Sequence, residues 1–327
     1  MTASALYFTG ERTVERRPIS VDDPEDGDVL VETEASAISA GTERRVYREE
    51  LPESPSVAPS IDGLDDDFEY PMPYGYCAVG RVVDVGASVE ESWLGRRVFA
   101  FRPHQTRFRA DPADLVVVPD GVDPAHATLL PTLETATNLA LDSRPRLGER
   151  VACFGAGVVG LCTARLLSAF PLSELVVVEP IERRRTVAAA FGADRTLDSA
   201  AGSVSDVDLA VELSGQPAVL DDALEAVGYD GRIVVGSWYG SKRAPIDLGG
   251  RFHRDRIEIV SSQVSTIAPE LRGRWDRQRR FETALEWLTR IECDELVSHQ
   301  MPFSEAADAY RLLDSSPAEA LQVVLTY

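Results

Sequence analysis

Three glycines at the spacing G-x-G-x-x-G are the residues whose pattern points most directly to chemistry. The segment reads Gly155-Ala156-Gly157-Val158-Val159-Gly160. In such a loop the first glycine permits a tight turn, the second lets the backbone approach a pyrophosphate, and the third lets the next helix pack closely on the strand. The helix N-terminus then favours the negative charge of the phosphates. The pattern predicts a dinucleotide-binding loop.

An acidic residue, Glu179, ends the next apolar segment after the loop. A carboxylate at that place accepts hydrogen bonds from the hydroxyls of an adenosine ribose and repels a 2′-phosphate. It therefore favours NAD(H) over NADP(H). NADP(H) stays possible because Arg183, Arg184 and Arg185 follow closely, and an arginine can hold a 2′-phosphate.

The segments around the loop predict a doubly wound parallel sheet. Short apolar runs alternate with segments that have helical spacing. The runs occupy 151–154, 175–178, 207–211, 232–236 and 257–261, and the helical segments occupy 125–141, 161–169, 181–191 and 217–227. Strands and helices that alternate at these lengths are typical of a parallel sheet with helices on both faces. The fold class predicted is therefore α/β.

The first 120 residues have a different pattern of apolar and polar residues, which predicts a β-rich domain. Residues 29–38, 79–86 and 96–101 alternate like half-buried strands, and Gly, Pro and Asp separate them. Residues 49–69 are acidic and contain proline, which is typical of a long loop. Beyond the predicted sheet, 275–290 and 304–314 are predicted helices and 321–326 a last strand.

The composition excludes several classes of protein. The 327 residues include 33 Lys+Arg and 54 Asp+Glu, which gives a net charge of −21, and 44% are hydrophobic. Such a chain is not expected to be disordered, and its charge repels nucleic acid and anionic membranes. No apolar run approaches the roughly 18 residues that cross a bilayer, and no secretory signal pattern opens the chain. We expect a cytoplasmic protein that binds a small-molecule substrate.

The basic residues are unevenly chosen, since Lys242 is the only lysine. A carboxylate-rich and lysine-poor surface holds water and cations and stays soluble in strong salt. We interpret it as the composition of a cytoplasmic protein from a salt-loving organism. The alternative is an acidic protein from an ordinary organism. Neither interpretation bears on catalysis, because molar salt screens charges beyond roughly 3 Å.

The four cysteines exclude one kind of metal site. Cys77, Cys153, Cys162 and Cys293 form no C-x-x-C pair, so a four-cysteine zinc lobe is not possible. We expect packing rather than disulfides from cysteines so spaced in a chain of this size.

Several short motifs follow one another in a fixed order along the chain. They are Ser39-Ala40-Gly41-Thr42-Glu43, 73–86, 95–98, the glycine loop, Ser214-Gly215, 231–236 and 301–310. In this order they resemble the C-G-T-D, P-x-x-G-H-E-x-x-G-x-V-x-x-V-G, G-D-R-V, Rossmann and closing-helix motifs of the medium-chain dehydrogenase/reductase family. The resemblance covers nearly the full length of the chain.

The resemblance implies a domain arrangement and further cofactor contacts. It implies a GroES-like β-rich substrate domain formed by 1–122 and 263–327, a Rossmann domain over 123–262, and an active site in the cleft between them. It adds Ser214 and Gly236 to the predicted cofactor-binding residues. Family members tend to form homodimers by pairing the edge strands of two Rossmann sheets, so a homodimer through 257–264 is expected.

The departures from the family pattern concern zinc. The catalytic cysteine of the family falls at Ala40, its histidine at Tyr76 and the adjacent glutamate at Cys77. Alanine cannot ligate a metal, and tyrosine is a poor zinc ligand. The resemblance therefore implies a zinc-independent branch with no metal site. Within the family the chain is most similar to bacteriochlorophyllide hydroxyethyl dehydrogenases, which indicates a branch and not a substrate.

Without zinc, a side chain or a water molecule must stabilise oxygen charge and supply a proton during hydride transfer. Tyr76 is the first candidate because it replaces a ligand, and its pKa of about 10 would need lowering by a nearby cation or by the cofactor. The alternative is a tyrosine that fills the space left by the zinc. Thr42 matches a family position whose hydroxyl relays a proton, or it caps a strand end. Glu43 is expected to orient the loop.

Three other residues are candidates for the site. His104 follows a strand that ends near the cleft and titrates near neutrality, so it is a possible acid, base or substrate contact. The alternative is a surface loop histidine. Glu134 begins the helix that faces the nicotinamide, where a carboxylate is also favoured by the helix dipole alone. Gln263, near the end of the Rossmann sheet, is a candidate contact for the nicotinamide amide.

These residues predict an NAD(P)-dependent oxidoreductase that interconverts an alcohol and a carbonyl compound without zinc. Two alternatives stay open. One is an NAD(P)H-dependent reductase of enone double bonds, because zinc-free relatives carry out both reactions. The other is a non-catalytic dinucleotide-binding protein.

Overall fold

The computed structural model describes residues 2–50 and 69–327, so most of the predicted loop at 49–69 lies outside the described residues. In chain order the strands are β1 (Thr2–Gly10), β2 (Thr13–Ser20), β3 (Val29–Ile38), β4 (Met72–Pro73), β5 (Ala78–Val85), β6 (Arg97–Ala100), β7 (Arg107–Ala110), β8 (Val116–Val117), β9 (Arg150–Phe154), β10 (Glu174–Val178), β11 (Arg195–Leu197), β12 (Val207–Glu212), β13 (Val227–Val235), β14 (Glu258–Ser261), β15 (Val297–Pro302) and β16 (Gln322–Thr326). The α-helices are α1 (Glu43–Tyr47), α2 (Pro124–Ala127), α3 (Leu130–Ser143), α4 (Val158–Leu167), α5 (Glu182–Ala190), α6 (Val219–Ala226), α7 (Arg277–Leu288), α8 (Cys293–Leu296) and α9 (Ala306–Ser315). In this part of the chain no helix is both long and apolar enough to cross a bilayer.

The chain divides into two compact units. The first comprises Met1–Pro131 and Leu288–Tyr327, and the second comprises Thr132–Trp287. The units therefore divide after residues 131 and 287, whereas the resemblance put the divisions after residues 122 and 262.

The first unit is β-rich. One sheet has the order β15-β16-β3-β5-β6-β8, with β7 also pairing with β3, and a smaller antiparallel sheet has the order β2-β1-β4. Every pair in the larger sheet is antiparallel except β15 with β16. The alternating segments at 29–38, 79–86 and 96–101 are confirmed as the strands β3, β5 and β6.

The second unit is a Rossmann-type parallel sheet. Its six strands have the order β11-β10-β9-β12-β13-β14, and each pair is parallel. After their first charged residue, the central strands β9 and β10 are continuous apolar runs whose side chains are buried on both faces, as parallel sheets under helices require, and β12 is buried except at Asp208. The chain winds from β9 to β10 on one side and later to β12 on the other. This reversal beside β9 is the place where open α/β sheets bind ligands. The predicted α/β fold class is confirmed.

The expected single helix over 125–141 is wrong in one respect. The chain forms α2 and then α3, with a break at Thr128 and Leu129. Pro131 explains the break, because its ring has no N–H and would clash with a carbonyl four residues earlier in a continuous helix. In the first turn of a new helix these two properties cost nothing.

Candidate functional site

The glycine loop of the second unit is a tight turn that needs two of its glycines for steric reasons. Gly155 has a φ of 99°, and a Cβ there would lie 2.8 Å from the backbone of Leu213. A Cβ on Gly160 would lie 2.1 Å from the carbonyl oxygen of Gly155. Both contacts involve backbone atoms of neighbouring segments, so neither site can accept a side chain without moving the turn.

Gly157 differs from its two neighbours because the space above it is open. A Cβ there would meet no described atom within 4 Å, and the residue has ordinary extended angles, with a φ of −67°. It is the N-cap of α4, a helix of ten residues. The first backbone N–H groups of a helix have no partner within the helix and are available to a ligand at this end. An open glycine at a helix start is the arrangement that lets a pyrophosphate approach the backbone. The loop therefore fits a dinucleotide.

Glu179 is fixed against the glycine loop. One carboxylate oxygen accepts a hydrogen bond from the amide of Ala156 at 2.8 Å, and the other accepts one from the amide of Ile181 at 3.0 Å. The residue is only 4% exposed. Since a carboxylate has about four lone-pair sites, acceptor capacity remains for a ribose hydroxyl. Its predicted contact with the ribose stays a prediction.

The arginines after Glu179 are largely engaged by the protein. Arg185 donates through one nitrogen to the carbonyl oxygens of Glu179 and Pro180, at 2.7 and 2.8 Å. Arg184 lies 3.9 Å from the Glu179 carboxylate, and burial lowers its pKa although that carboxylate opposes the shift. Arg183 is exposed.

The other predicted cofactor residues follow strand ends at the same edge of the sheet. Ser214 comes after β12, Gly236 after β13 and Gln263 after β14, and all these strands run parallel to β9. A Cβ on Gly236 would lie 2.5 Å from the Leu139 side chain. The Gln263 side-chain oxygen accepts hydrogen bonds from the amide and the hydroxyl of Ser265, so its contact with a nicotinamide amide would involve the amide nitrogen.

Glu212 is a residue at this edge that the sequence reasoning missed. It ends β12 and is fully buried. Its carboxylate accepts hydrogen bonds from the amide and hydroxyl of Ser214 and from the hydroxyl of Tyr239, at 2.5 Å. Burial, followed by this carboxylate, raises the pKa of Tyr239. The sequence pattern that could have identified Glu212 is a carboxylate at the end of an apolar strand. The same pattern identified Glu179.

Glu134 has a partner that argues against its predicted catalytic role. Its carboxylate accepts two hydrogen bonds from Arg280 of α7, at 2.6 and 3.0 Å, and Arg280 also donates to Asn138. Both charged side chains are at most 5% exposed. Two guanidinium nitrogens donate to one carboxylate oxygen, Oε1, and this buried, charge-assisted pair holds α3 to α7. The pair lies within the second unit, and the catalytic role of Glu134 stays a prediction.

In the first unit the structure brings Tyr76 and Thr42 together through Ser39. The Tyr76 hydroxyl donates a short hydrogen bond to the Ser39 hydroxyl, and the Thr42 side chain also hydrogen-bonds to Tyr76. Tyr76 packs at the margin of a core that includes Phe8, and it keeps partial exposure. A phenol with this position can donate a proton or a hydrogen bond to a bound oxygen atom.

The pKa of Tyr76 shifts in the direction opposite to the expected one. Burial and then the Glu43 carboxylate raise it to about 12, and the hydrogen bonds with Ser39 and Thr42 oppose the rise. No described cation contributes to the shift. Tyr76 therefore stays protonated near neutral pH, which suits an acid and not a base.

Glu43 is the centre of a buried polar network. One of its carboxylate oxygens accepts a hydrogen bond from the amide of Ser39 at 2.8 Å, and the other contacts His104 Nε2 at 2.9 Å and the Tyr310 hydroxyl. On the far side of the imidazole, Nδ1 lies 2.7 Å from the Ser36 hydroxyl. Glu43 and His104 are both fully buried.

This network corrects one interpretation of His104. The residue is not a surface loop histidine, because the ring is enclosed and both of its nitrogens have protein partners. Gly75 covers one side of the ring, and with its φ of 113° a Cβ there would lie 2.6 Å from the ring carbon Cδ2. His104 contributes to the surroundings of the candidate acid, and its predicted role as acid, base or substrate contact stays a prediction.

The residues at the family's zinc positions do not fit a catalytic zinc ion. Ala40 has no ligating atom, and the Tyr76 hydroxyl donates to Ser39. The Cys77 thiol donates to the carbonyl oxygen of Thr128 at 3.3 Å, and burial raises its pKa to about 12, whereas a ligand must be a thiolate. Across residues 2–50 and 69–327, no group of three or more His, Cys, Asp or Glu side chains could hold a metal ion.

The sequence model of the family described as "Zinc-binding dehydrogenase" matches residues 158–290. The structure resembles that of RspB from Escherichia coli CFT073, a short chain alcohol dehydrogenase complexed with NADH. The TM-score is 0.80 at 19% identity, covering 100% of this chain and 99% of that one.

Two characterised sequences are similar over most of the chain. The 2-desacetyl-2-hydroxyethyl bacteriochlorophyllide A dehydrogenase of Cereibacter sphaeroides is 26% identical over 345 residues, covering 100% of this chain and 99% of that protein. D-guloside 3-dehydrogenase of Escherichia coli (strain K12) is 23% identical over 269 residues, covering 77% of each. The chain is thus similar in sequence to zinc-binding dehydrogenases and shares its fold with solved dehydrogenase structures.

Proposed function

We propose that this protein is a zinc-independent, NAD(P)-dependent oxidoreductase that transfers a hydride between nicotinamide and an alcohol or carbonyl substrate. The observation that carries the proposal is the open turn at Gly157, with Glu179 fixed against it, at the carboxyl edge of a parallel sheet. An intact turn of this kind argues against a protein that has lost its dinucleotide.

The residues that would hold the dinucleotide lie along one edge of the second unit. The amides of the glycine loop at the start of α4 would bind the pyrophosphate, and Glu179 would bind the adenosine ribose. Ser214, Gly236 and Gln263 follow neighbouring strands at that edge. When bound, the nicotinamide supplies or accepts the hydride.

NAD(H) is the proposed preference. The Glu179 carboxylate would repel a 2′-phosphate, and two of the arginines that could attract one are already engaged by Glu179 and by backbone carbonyls. Arg183 is the exposed arginine of the three, so NADP(H) binding would depend on it. Arg183→Ala tests whether this arginine contributes to NADPH binding only. It should weaken NADPH binding and leave NADH binding unchanged.

Tyr76 is the proposed proton donor for carbonyl reduction. Its hydroxyl is fixed by Ser39 and Thr42, and its raised pKa keeps it protonated over the working range. The phenol has one proton, which it donates to Ser39 in this structure. In carbonyl reduction that proton would pass to the carbonyl oxygen as this oxygen gains negative charge, and the Ser39 hydroxyl would then donate to the phenolate, which is general acid catalysis. The Ser39 and Thr42 hydroxyls hold the phenol in place. Tyr76→Phe should lower kcat about 100-fold or more, within the usual contribution of a general acid.

The first experiment is calorimetry with NADH and with NADPH. The protein should be studied in strong salt, in keeping with the proposed salt-adapted and cytoplasmic character of so acidic a chain. We expect NADH to bind more tightly than NADPH. Absence of binding by either dinucleotide would remove the basis of the proposal.

The second experiment scans NADH oxidation against aldehydes, ketones and enones. The names of the relatives suggest two additions to the panel, a 3-keto hexoside and an acetyl-substituted tetrapyrrole, since those proteins are named for a guloside and for a hydroxyethyl bacteriochlorophyllide. Reduction of carbonyl groups supports the proposal. Activity confined to enones would favour the double-bond reductase, and binding without any turnover would favour the non-catalytic alternative.

A homodimer is part of the proposal. The strand β14 is at the edge of the second unit's sheet, and Ile259 in its middle is 37% exposed. An exposed edge strand can pair with the same strand of a second copy. Ile259→Lys should convert a dimer to a monomer in light scattering, and a wild-type monomer would refute this part of the proposal.

A further inference from the structure

The hydrogen atoms of the buried network around Glu43 can be assigned by counting donors and acceptors. The Tyr327 hydroxyl lies 2.9 Å from the Ser36 hydroxyl, and Ser36 is its only polar partner among the described residues. Tyr327 is 37% exposed, whereas Ser36 is fully buried, so it is the Ser36 proton that needs an acceptor within the protein. We assign that proton to the contact with His104 Nδ1 at 2.7 Å, which is the shorter of the two contacts of Ser36, with Tyr327 as the donor to Ser36.

The direction of that chain fixes the state of His104. An Nδ1 that accepts a hydrogen bond carries no proton, so the imidazole is neutral and its proton is on Nε2. That proton is donated to Glu43 at 2.9 Å. An imidazolium would reverse the bond to Ser36, and the buried Ser36 proton would then have only the Tyr327 hydroxyl as an acceptor among the described residues. All hydrogen bonds in this row therefore point toward Glu43.

Glu43 is consequently a buried carboxylate that is held by hydrogen bonds and not by a cation. Its three donors are the Ser39 amide, His104 Nε2–H and the Tyr310 hydroxyl. Three such donors can stabilise an ionised carboxylate without a counter-ion. In the described part of the chain neither an arginine nor a lysine is paired with it.

The charge of Glu43 acts on Tyr76 through the segment that joins them. Glu43 fixes the amide of Ser39, and the hydroxyl of the same serine accepts the hydrogen bond from Tyr76. The described ionisable and hydrogen-bonding groups that act on the Tyr76 phenol are Glu43, Ser39 and Thr42 from the turn leading into α1, and Tyr74 and Cys77 from its own segment. Glu43 is the only carboxylate in this set.

We propose that Glu43 is a positioning residue that, through neutral His104 and Ser39, keeps the Tyr76 phenol oriented and in its proton-donating form. Tyr76 lies at a position where the family has a zinc ligand. At this site, therefore, the Glu43 carboxylate and the neutral Tyr76 phenol replace a metal cation. The functional consequence, a site that acts as an acid, rests on the function proposed above.

The test is a titration of Tyr76 in the protein without cofactor or substrate. The near-ultraviolet absorbance of tyrosinate is followed with rising pH, and the curve of Tyr76→Phe is subtracted to isolate Tyr76. In Glu43→Gln the curve should move to lower pH by about one unit, a tenfold gain in acidity, because a nearby like charge has been removed. An unchanged curve would overturn the proposal.

A matched control comes from the other unit. Glu212→Gln makes the same substitution at another fully buried carboxylate that accepts tyrosine and serine hydrogen bonds. It should leave the Tyr76 titration where it is in the wild type. An equal shift in both variants would mean that the Glu43 effect is a general loosening of the fold, which contradicts the proposal.

A second measurement applies if Glu43→Gln does not fold. The ¹⁵N–¹H correlation pattern of histidine distinguishes the neutral Nε2–H form from the imidazolium, and His104→Gln assigns the signal among the 4 histidines. The neutral Nε2–H pattern is expected, and an imidazolium at neutral pH would overturn the assignment. Neither readout requires turnover, so failure here is distinct from failure of the oxidoreductase proposal.

Discussion

The glycine loop allows cofactor binding to be separated from folding by a single substitution. Gly157→Val adds a side chain whose Cβ would have no described atom beyond its chain neighbours within 4 Å, at extended backbone angles that valine readily adopts. Gly157 makes no side-chain cap, so no capping bond is lost. We therefore expect the variant to unfold at the wild-type temperature. The new side chain occupies the approach to the first amides of α4, so dinucleotide binding should weaken.

The size of the effect follows from the bonds that the side chain would displace. A hydrogen bond between a backbone amide and a charged phosphate is worth about 1.5–3 kcal/mol. Loss of one such bond raises Kd roughly 10- to 150-fold, since 1.4 kcal/mol is a factor of ten. Gly160→Ala should behave differently, because its Cβ would lie 2.1 Å from a backbone oxygen. Overpacking of this kind costs about 1–3 kcal/mol of stability.

The assay pairs calorimetry for NADH with thermal unfolding of the same preparations. Gly27→Val is the matched control, because Gly27 also has open space around it and lies in the first unit. It should change neither property. Wild-type NADH affinity in Gly157→Val would refute the placement of the pyrophosphate at this turn, and a lower unfolding temperature would refute the claim that the space is open.

Three further outcomes are expected. The rate of carbonyl reduction should stay level from neutral pH to about pH 11 and then fall, because Tyr76, with its pKa of about 12, donates only while it is protonated. The rate of alcohol oxidation should rise between neutral pH and about pH 11. A fall in the reduction rate near pH 8 would contradict this. Glu134→Gln should lower the free energy of unfolding by about 3–5 kcal/mol in denaturant titrations, since it breaks a buried pair, and the exposed Glu11→Gln should cost less than about 1 kcal/mol. Gly75→Ala should displace the His104 ring and move its NMR signals, because the added Cβ would lie 2.6 Å from a ring carbon; unmoved signals would contradict the packing.

The features that the sequence predicted correctly are local in the chain. The strands β9 and β10 and the helix α4 around the glycine loop lie within about thirty residues, and their pattern depends on spacing alone. The cofactor contacts of the loop and of Glu179 stay predictions. The break before α3 was also readable, because Pro131 is incompatible with a helix interior, although the helical spacing on either side concealed it.

The features that the sequence did not predict assemble residues far apart in the chain. His104 lies 61 positions from Glu43, and Tyr310 lies 267 positions from it. Arg280 is 146 positions from Glu134. The spacing of a sequence contains no information about such pairs until the sheet register brings them together. For the same reason the direction of the Tyr76 pKa shift could not be seen, since it depends on burial and on Glu43.

The central claim is that hydride transfer here proceeds without zinc and with a protein acid in its place. The most direct test is the rate of NADH-dependent carbonyl reduction by protein that has been stripped with a chelator and shown by elemental analysis to contain far less than one zinc per chain. The account predicts the same rate as in untreated protein and no increase when zinc is added. An inactive stripped protein that regains activity with zinc would contradict it.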